Sequence, residues 1–125
     1  IDEMIWNKAL RLANFKKKIV WMKDGVLALE YLFGKEDAPV SPANDHLPKL
    51  IVLDLKMPKM TGFELLTEIK KNESAKNIPI VIFTVSSLDA DREKCYELGV
   101  DDYFVKPDKY EEMTGAILNI ILHWL

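Results

Sequence analysis

The chain has 125 residues, a formal net charge of −3 and a pI near 5.4, with its lysines and arginines spread along it rather than gathered into one patch. That length predicts a single domain over 1–125, large enough to bury roughly two thirds of its unfolded surface. The acidic balance argues against direct nucleic-acid binding, no apolar run is long enough to span a membrane, and no signal peptide opens the chain, so a cytoplasmic protein with no membrane partner is expected.

Ile1, Met4, Ile5, Ala9, Leu12 and Phe15 recur at helical spacing, so the chain opens in an amphipathic helix. Lys16-Lys17-Lys18 reads as a solvated connection rather than a phosphate patch. Lys18 to Met22 is a short strand rich in β-formers, closed by Lys23-Asp24-Gly25. A second helical pattern runs from Val26 to Phe33, with Gly34 at its stop. Between Lys35 and Pro48 the periodicity lapses and three prolines appear, which marks a long inserted loop. His46 within it has no Cys or second His at metal spacing and reads as solvated.

Leu50 to Leu53 is a continuous apolar run that ends on Asp54, and a turn with Pro58 and Gly62 follows. Such a run predicts a strand buried on both faces, the kind found in parallel sheets. A carboxylate at the carboxyl end of a buried strand sits where open α/β sheets hold their ligands, although Asp is also a common turn residue. Phe63, Leu65, Leu66 and Ile69 then form a helix, and Ile78 to Thr84 another apolar strand. Ser86-Ser87 is placed to cap the next helix, in which Leu88, Cys95 and Leu98 face inward and Gly99 gives the stop. Cys95, the single cysteine, reads as a small packing residue in a reducing compartment. Asp102 to Pro107 is a last short strand, and Tyr110 to Leu125 a last helix. Helix and strand alternate throughout, which predicts an α/β fold with a doubly wound parallel sheet, four strands and five helices.

Three of these strands end on polar residues, Asp54, Thr84 and Lys106. A carboxylate, a hydroxyl and an ammonium in one crevice suit the receipt of a phosphoryl group: the carboxylate attacks phosphorus, the hydroxyl donates to one oxygen and the ammonium offsets charge on another. Pro107 suggests a constrained peptide, with the cis isomer open to it, that aims Lys106 inward.

With these residues in place the chain resembles the receiver domain of two-component response regulators, over essentially all of its length. The resemblance rests on Asp54-Leu-Lys-Met-Pro58 with Gly62, then Thr84, then Lys106-Pro107, with Tyr103 at the aromatic switch position and Glu97-Leu-Gly-Val-Asp-Asp-Tyr103 as the helix-to-strand connection. The long loop and the Trp124-Leu125 ending are similar to small stand-alone receivers associated with phytochrome-type histidine kinases. It implies a flavodoxin-like sheet of order 2-1-3-4-5. It also implies that Asp54 is the phosphoacceptor, that Thr84 and Lys106 hold the phosphoryl group, and that Tyr103 turns inward as Thr84 shifts. Mg²⁺ would bind Asp54, the backbone carbonyl of Lys56 and an acidic pair at the end of the first strand. The implied donor is a sensor histidine kinase or phosphotransfer protein. The protein would be a switch and not an enzyme, beyond assisting its own phosphorylation and dephosphorylation.

The chain departs from this pattern in three places. The first strand and its acidic pair have no counterpart, since Asp2 and Glu3 lie inside the opening helical pattern. Either the sequence omits them, which is the preferred reading, or the gap is filled by another chain; as it stands, weak or absent Mg²⁺ binding and little phosphorylation are expected. Val85 follows the switch threonine where a small residue is common, and is expected to slow access to Asp54. Thr61 stands where an acid is common, and is expected to change only turn chemistry. In the last helix Met113, Ile117, Ile120 or Ile121 and Trp124 suit the core, while Leu118, Leu122 and Leu125 form a second apolar line, read either as a wide core stripe or as a homodimer surface. The alternative to a phosphorylation switch is a receiver-like interaction or dimerisation module that works without phosphorylation.

Overall fold

The apolar runs and amphipathic patterns fold as strands and helices in alternation in a computed structural model that describes residues 2–13, 25–33, 48–57 and 59–124. In chain order these are α1 (Asp2–Leu12), α2 (Gly25–Phe33), β1 (Ile51–Leu53), α3 (Gly62–Lys71), β2 (Ile80–Thr84), α4 (Asp89–Glu97), β3 (Asp102–Val105) and α5 (Tyr110–Trp124). The expected strand at Lys18–Met22, the Gly34 stop and the loop holding His46 lie outside the described residues. The chain divides into two compact units: Ile1–Trp21 with Lys106–Leu125, and Met22–Val105.

The larger unit is built on a three-stranded sheet of order β1-β2-β3. Both pairings are parallel, with Ile51 opposite Ile80 and Leu53 opposite Ile82, then Val81 opposite Asp102 and Thr84 opposite Val105. β2 is central among these strands and wholly buried, as a strand covered on both faces must be. In β1 only Leu53 is buried, while Ile51 and Val52 are half-buried, short of the two-faced burial its composition predicts. Among the described residues β1 pairs with β2 alone, which leaves its other edge without a described ladder.

The core of this unit gathers Leu53 and Leu55, Leu65, Leu66 and Ile69 from α3, Ile80 and Ile82 from β2, and Cys95, Val100 and Tyr103. Cys95 is fully buried there, and burial pushes its thiol up to about 11, helped by the Asp91 carboxylate and partly offset by Lys94. A thiol held protonated in this way packs and does not attack.

Local chemistry fixes the ends of the helices. Thr61 caps α3 in a reciprocal box: its hydroxyl accepts from the Glu64 N–H at 3.2 Å and the Glu64 carboxylate accepts from the Thr61 N–H at 3.2 Å. Thr61 therefore does more than alter a turn. At the end of α4 the Gly99 N–H donates to the Tyr96 carbonyl and the Val100 N–H to the Cys95 carbonyl, the Schellman pattern, with Gly99 at φ 98°. Neither Ser86 nor Ser87 occupies the cap position of α4, although the Ser86 hydroxyl accepts from the Leu88 N–H at 3.3 Å. The cap residue is Leu88, which makes no side-chain cap bond and is 65% exposed rather than inward-facing. The hydrophobic pattern places Leu88 about two turns too early, because the inward stripe of α4 starts only at Cys95.

In the smaller unit α1 packs against α5. α1 buries Ile5, Trp6, Ala9 and Leu10, whereas Met4 and Leu12, expected inside, are exposed. Shifting the stripe by one residue puts the bulky Trp6 indole in the interior, which buries more apolar surface than Met4 would. α5 buries Ile117, Ile120 and Ile121 together; Leu118 is half-buried and Leu122 is 70% exposed.

Candidate functional site

The parallel register brings the ends of β1 and β2 to the same edge of the sheet. Leu53 is the last paired residue of β1 and faces Ile82, so Asp54 leaves the sheet beside the end of β2, where Thr84 stands. Asp54 is half-buried, and its Oδ1 accepts from the Lys56 N–H at 3.2 Å, which folds the chain into a tight turn after β1. The turn passes through Lys59 at φ 67° and returns at Gly62, whose N–H donates to the Leu55 carbonyl at 3.0 Å. A side chain on Gly62 would run into the Asp54 carbonyl oxygen and the Leu55 Cα, so glycine is what lets α3 begin this close to the acid.

Thr84 is fully buried at the end of β2, and its Oγ1 accepts a long 3.4 Å bond from the Ser86 N–H. Val85 between them points outward and is 59% exposed. Tyr103 on β3 is buried, and its hydroxyl donates to the Ser86 carbonyl at 2.9 Å, so the aromatic residue singled out in the sequence lies inward beside the residues that follow Thr84. Burial raises its phenol above the ordinary value. Lys106 is half-buried and follows Val105, the last residue of β3, in the chain; it belongs to the other unit. The peptide before Pro107 is trans, since the described residues contain no cis bond.

For a divalent cation the described residues offer hard oxygens, the Asp54 carboxylate and the Lys56 carbonyl. Among them no group of three His, Cys, Asp or Glu side chains is placed to hold an ion. Asp2, the first residue of α1, is helical as expected.

Sequence reasoning does not find the connection between Ser86, Asp91 and Arg92. The Ser86 hydroxyl donates to Asp91 Oδ2 at 2.5 Å and accepts from the Leu88 N–H at 3.3 Å, and the Arg92 guanidinium lies 5.2 Å from the centre of the Tyr103 ring. A serine two positions after Thr84 and charges at the start of a helix are common enough that only the packing reveals how they meet.

Comparison with known proteins agrees with this fold. The response regulator receiver domain family matches residues 4–118. A probable methanogenesis regulatory protein, FilR2 of Methanothrix harundinacea, is 34% identical over 122 residues, covering 98% of this chain and 76% of its own. The response regulator Rcp1 of Synechocystis, in a crystal structure of its Mn²⁺-bound form, superposes with a TM-score of 0.86 at 31% identity, covering 99% of this chain and 86% of that one. The phosphorylated cyanobacterial phytochrome response regulator RcpA gives a TM-score of 0.84 at 31% identity, over 98% and 85% of the two chains. With the fold, the acid at the sheet edge and the match over most of its length in agreement, the chain belongs to the response regulator receiver domain family of two-component signalling.

Proposed function

We propose that Asp54 takes the phosphoryl group from a histidine kinase or phosphotransfer protein, and that Thr84, Lys106 and Tyr103 turn this event into a change of surface that a partner reads. The observation that supports this most is the register that sets a half-buried carboxylate and a buried hydroxyl at the carboxyl ends of neighbouring parallel strands. A carboxylate oxygen of Asp54 attacks phosphorus; a P–O bond forms as the P–N bond to the donor imidazole breaks, and the imidazole leaves with the electron pair. Thr84 donates to one phosphoryl oxygen and Lys106 offsets the charge on another. Mg²⁺, a hard cation that prefers oxygen ligands, would supply charge that offsets repulsion between the carboxylate and an anionic donor. The Asp54 carboxylate and Lys56 carbonyl would be its ligands from the described residues. Solution in the cytoplasm and action by docking rather than on nucleic acid fit the acidic composition. The chain acts as a signalling switch, with catalysis limited to its own phosphorylation and dephosphorylation.

The test is acetyl phosphate labelling at saturating Mg²⁺, read by intact mass. Slow gain of a single phosphoryl group, abolished by Asp54→Asn, is expected. Label that survives Asp54→Asn would overturn Asp54 as the acceptor, and no label from either acetyl phosphate or a phosphorylated phosphotransfer domain would favour the second reading: an interaction module independent of phosphorylation. That reading draws on the inward Tyr103, whose hydroxyl already has its partner in the Ser86 carbonyl.

A further inference from the structure

Ser86 is 8% exposed and every one of its polar groups is engaged. Its N–H donates to Thr84 Oγ1 at 3.4 Å and its carbonyl accepts from the Tyr103 hydroxyl at 2.9 Å. Its own hydroxyl donates to Asp91 at 2.5 Å and accepts from the Leu88 N–H at 3.3 Å. The last two bonds form a displaced capping box. Leu88 cannot cap α4 itself, so Ser86, two residues upstream, satisfies the Leu88 N–H, and the acid three positions into the helix reaches back to Ser86 instead of to the cap residue. A short hydrogen bond to a carboxylate is among the stronger kinds, and the first turn of a helix favours the anion that accepts it.

This arrangement fixes where the Ser86 carbonyl points, and that carbonyl is the acceptor for the buried Tyr103 hydroxyl. A buried phenol hydroxyl without an acceptor is costly, so Tyr103 stays inside only while the carbonyl stays in place. Arg92, the next residue of α4, lies with its guanidinium 5.2 Å from the centre of the Tyr103 ring and favours the same position from the ring face. Two neighbouring residues of one helix thus act on one tyrosine, Asp91 through Ser86 and Arg92 directly.

We propose that Ser86, Asp91 and Arg92 are positioning residues that hold Tyr103 inward, and that the opening turn of α4 thereby sets how much of the chain occupies the inward arrangement, whatever the state of Asp54. The inference rests on reading Thr84 and Tyr103 as the switch pair. A receiver built this way is biased toward one arrangement by its own helix, and phosphorylation adds to that bias rather than creating it. Linkage is reciprocal: phosphorylation and the inward arrangement favour each other by the same factor, so weakening the hold makes phosphorylation less favourable.

The decisive measurement is ¹⁹F NMR of the 125-residue protein, labelled with 3-fluorotyrosine and not phosphorylated, with Tyr103→Phe used to assign one of its four tyrosine signals. Asp91→Ala should move the Tyr103 signal toward that of a solvent-exposed tyrosine and lower the inward-to-outward ratio roughly tenfold, the scale of one hydrogen bond to a charged group. Asp91→Asn, which retains an oxygen acceptor for the Ser86 hydroxyl, should restore most of it. Arg92→Ala, which removes the exposed cation from the ring face, should lower the ratio about threefold, as loss of a surface cation–π contact would. A Tyr103 signal that stays at the wild-type position in folded Asp91→Ala overturns the proposal. Should Asp91→Ala fail to fold, an unmoved signal in Arg92→Ala does so instead. Acetyl phosphate labelling of the same variants separates the two readings: an absence of label in every variant removes the phosphoacceptor assignment and leaves the NMR result to decide the hold on Tyr103.

Discussion

A Cβ on Gly62 would stand 2.7 Å from the Cα of Leu55 and press on the Asp54 carbonyl oxygen, both backbone atoms that cannot swing aside as a side chain could. Gly62→Ala must therefore displace the turn that carries the acid. It should cost about 1–3 kcal/mol, as overpacking does, measured as a lower urea midpoint, and should slow labelling of Asp54 beyond what the lost stability explains. Gly115 in α5 is the contrasting case, with nothing within 4 Å of an added methyl, and Gly115→Ala should gain about 0.8–1 kcal/mol from helix propensity with labelling unchanged. A similar gain from both substitutions would show that Gly62 responds only as a helix residue. At this scale the sequence is most informative where one residue type has one use. Asp54 and Thr84 are legible because a charge and a hydroxyl ending apolar runs need an explanation. Ser86 is not, because its role depends on Asp91, Arg92 and Tyr103 meeting in space.

Among elements, strands are easier to read than helix faces. β2 and β3 fall where the apolar runs put them, with Thr84 as the last residue of β2. The expected face of α1 is off by one position: Ile5 and Ala9 are buried as expected, but their companions are Trp6 and Leu10, and a stripe of period 3.6 tolerates either choice until a neighbouring helix fixes it. Helix ends divide in the same way. Gly99 is legible because its positive φ suits glycine, whereas the α3 cap at Thr61 is easily passed over even though Thr61-Gly-Phe-Glu64 has the spacing of a capping box. That box carries its own prediction. Thr61→Ala removes the acceptor for the Glu64 N–H and should cost about 1 kcal/mol, read from chemical denaturation, while Thr61→Ser should be close to neutral. Equal stability of all three proteins would mean that the box contributes nothing in solution.

For the molecule as a whole, the open matter is which surface meets another chain. α5 is expected to present either a wide core stripe or a second apolar line, and it does some of each: Ile117, Ile120 and Ile121 are all buried, while Leu122 remains 70% exposed and Leu118 half-buried. Leu118 and Leu122 are four residues apart and so share a helix face, which a second copy of α5 could cover in a symmetric contact. With a net charge of only −3, long-range repulsion between copies is weak at physiological salt, where the screening length is about 8 Å. The expected outcome is a weight-average mass that rises with concentration in sedimentation equilibrium. Leu122→Lys should weaken the association at least about a hundredfold, because it loses the roughly 1.5–3 kcal/mol of a buried leucine from each side and sets like charges together. Identical self-association of wild type and Leu122→Lys would place the contact elsewhere. A wild-type chain that stays monomeric at every concentration would leave α5 as a core helix with one solvated leucine, since single exposed apolar residues are ordinary on protein surfaces.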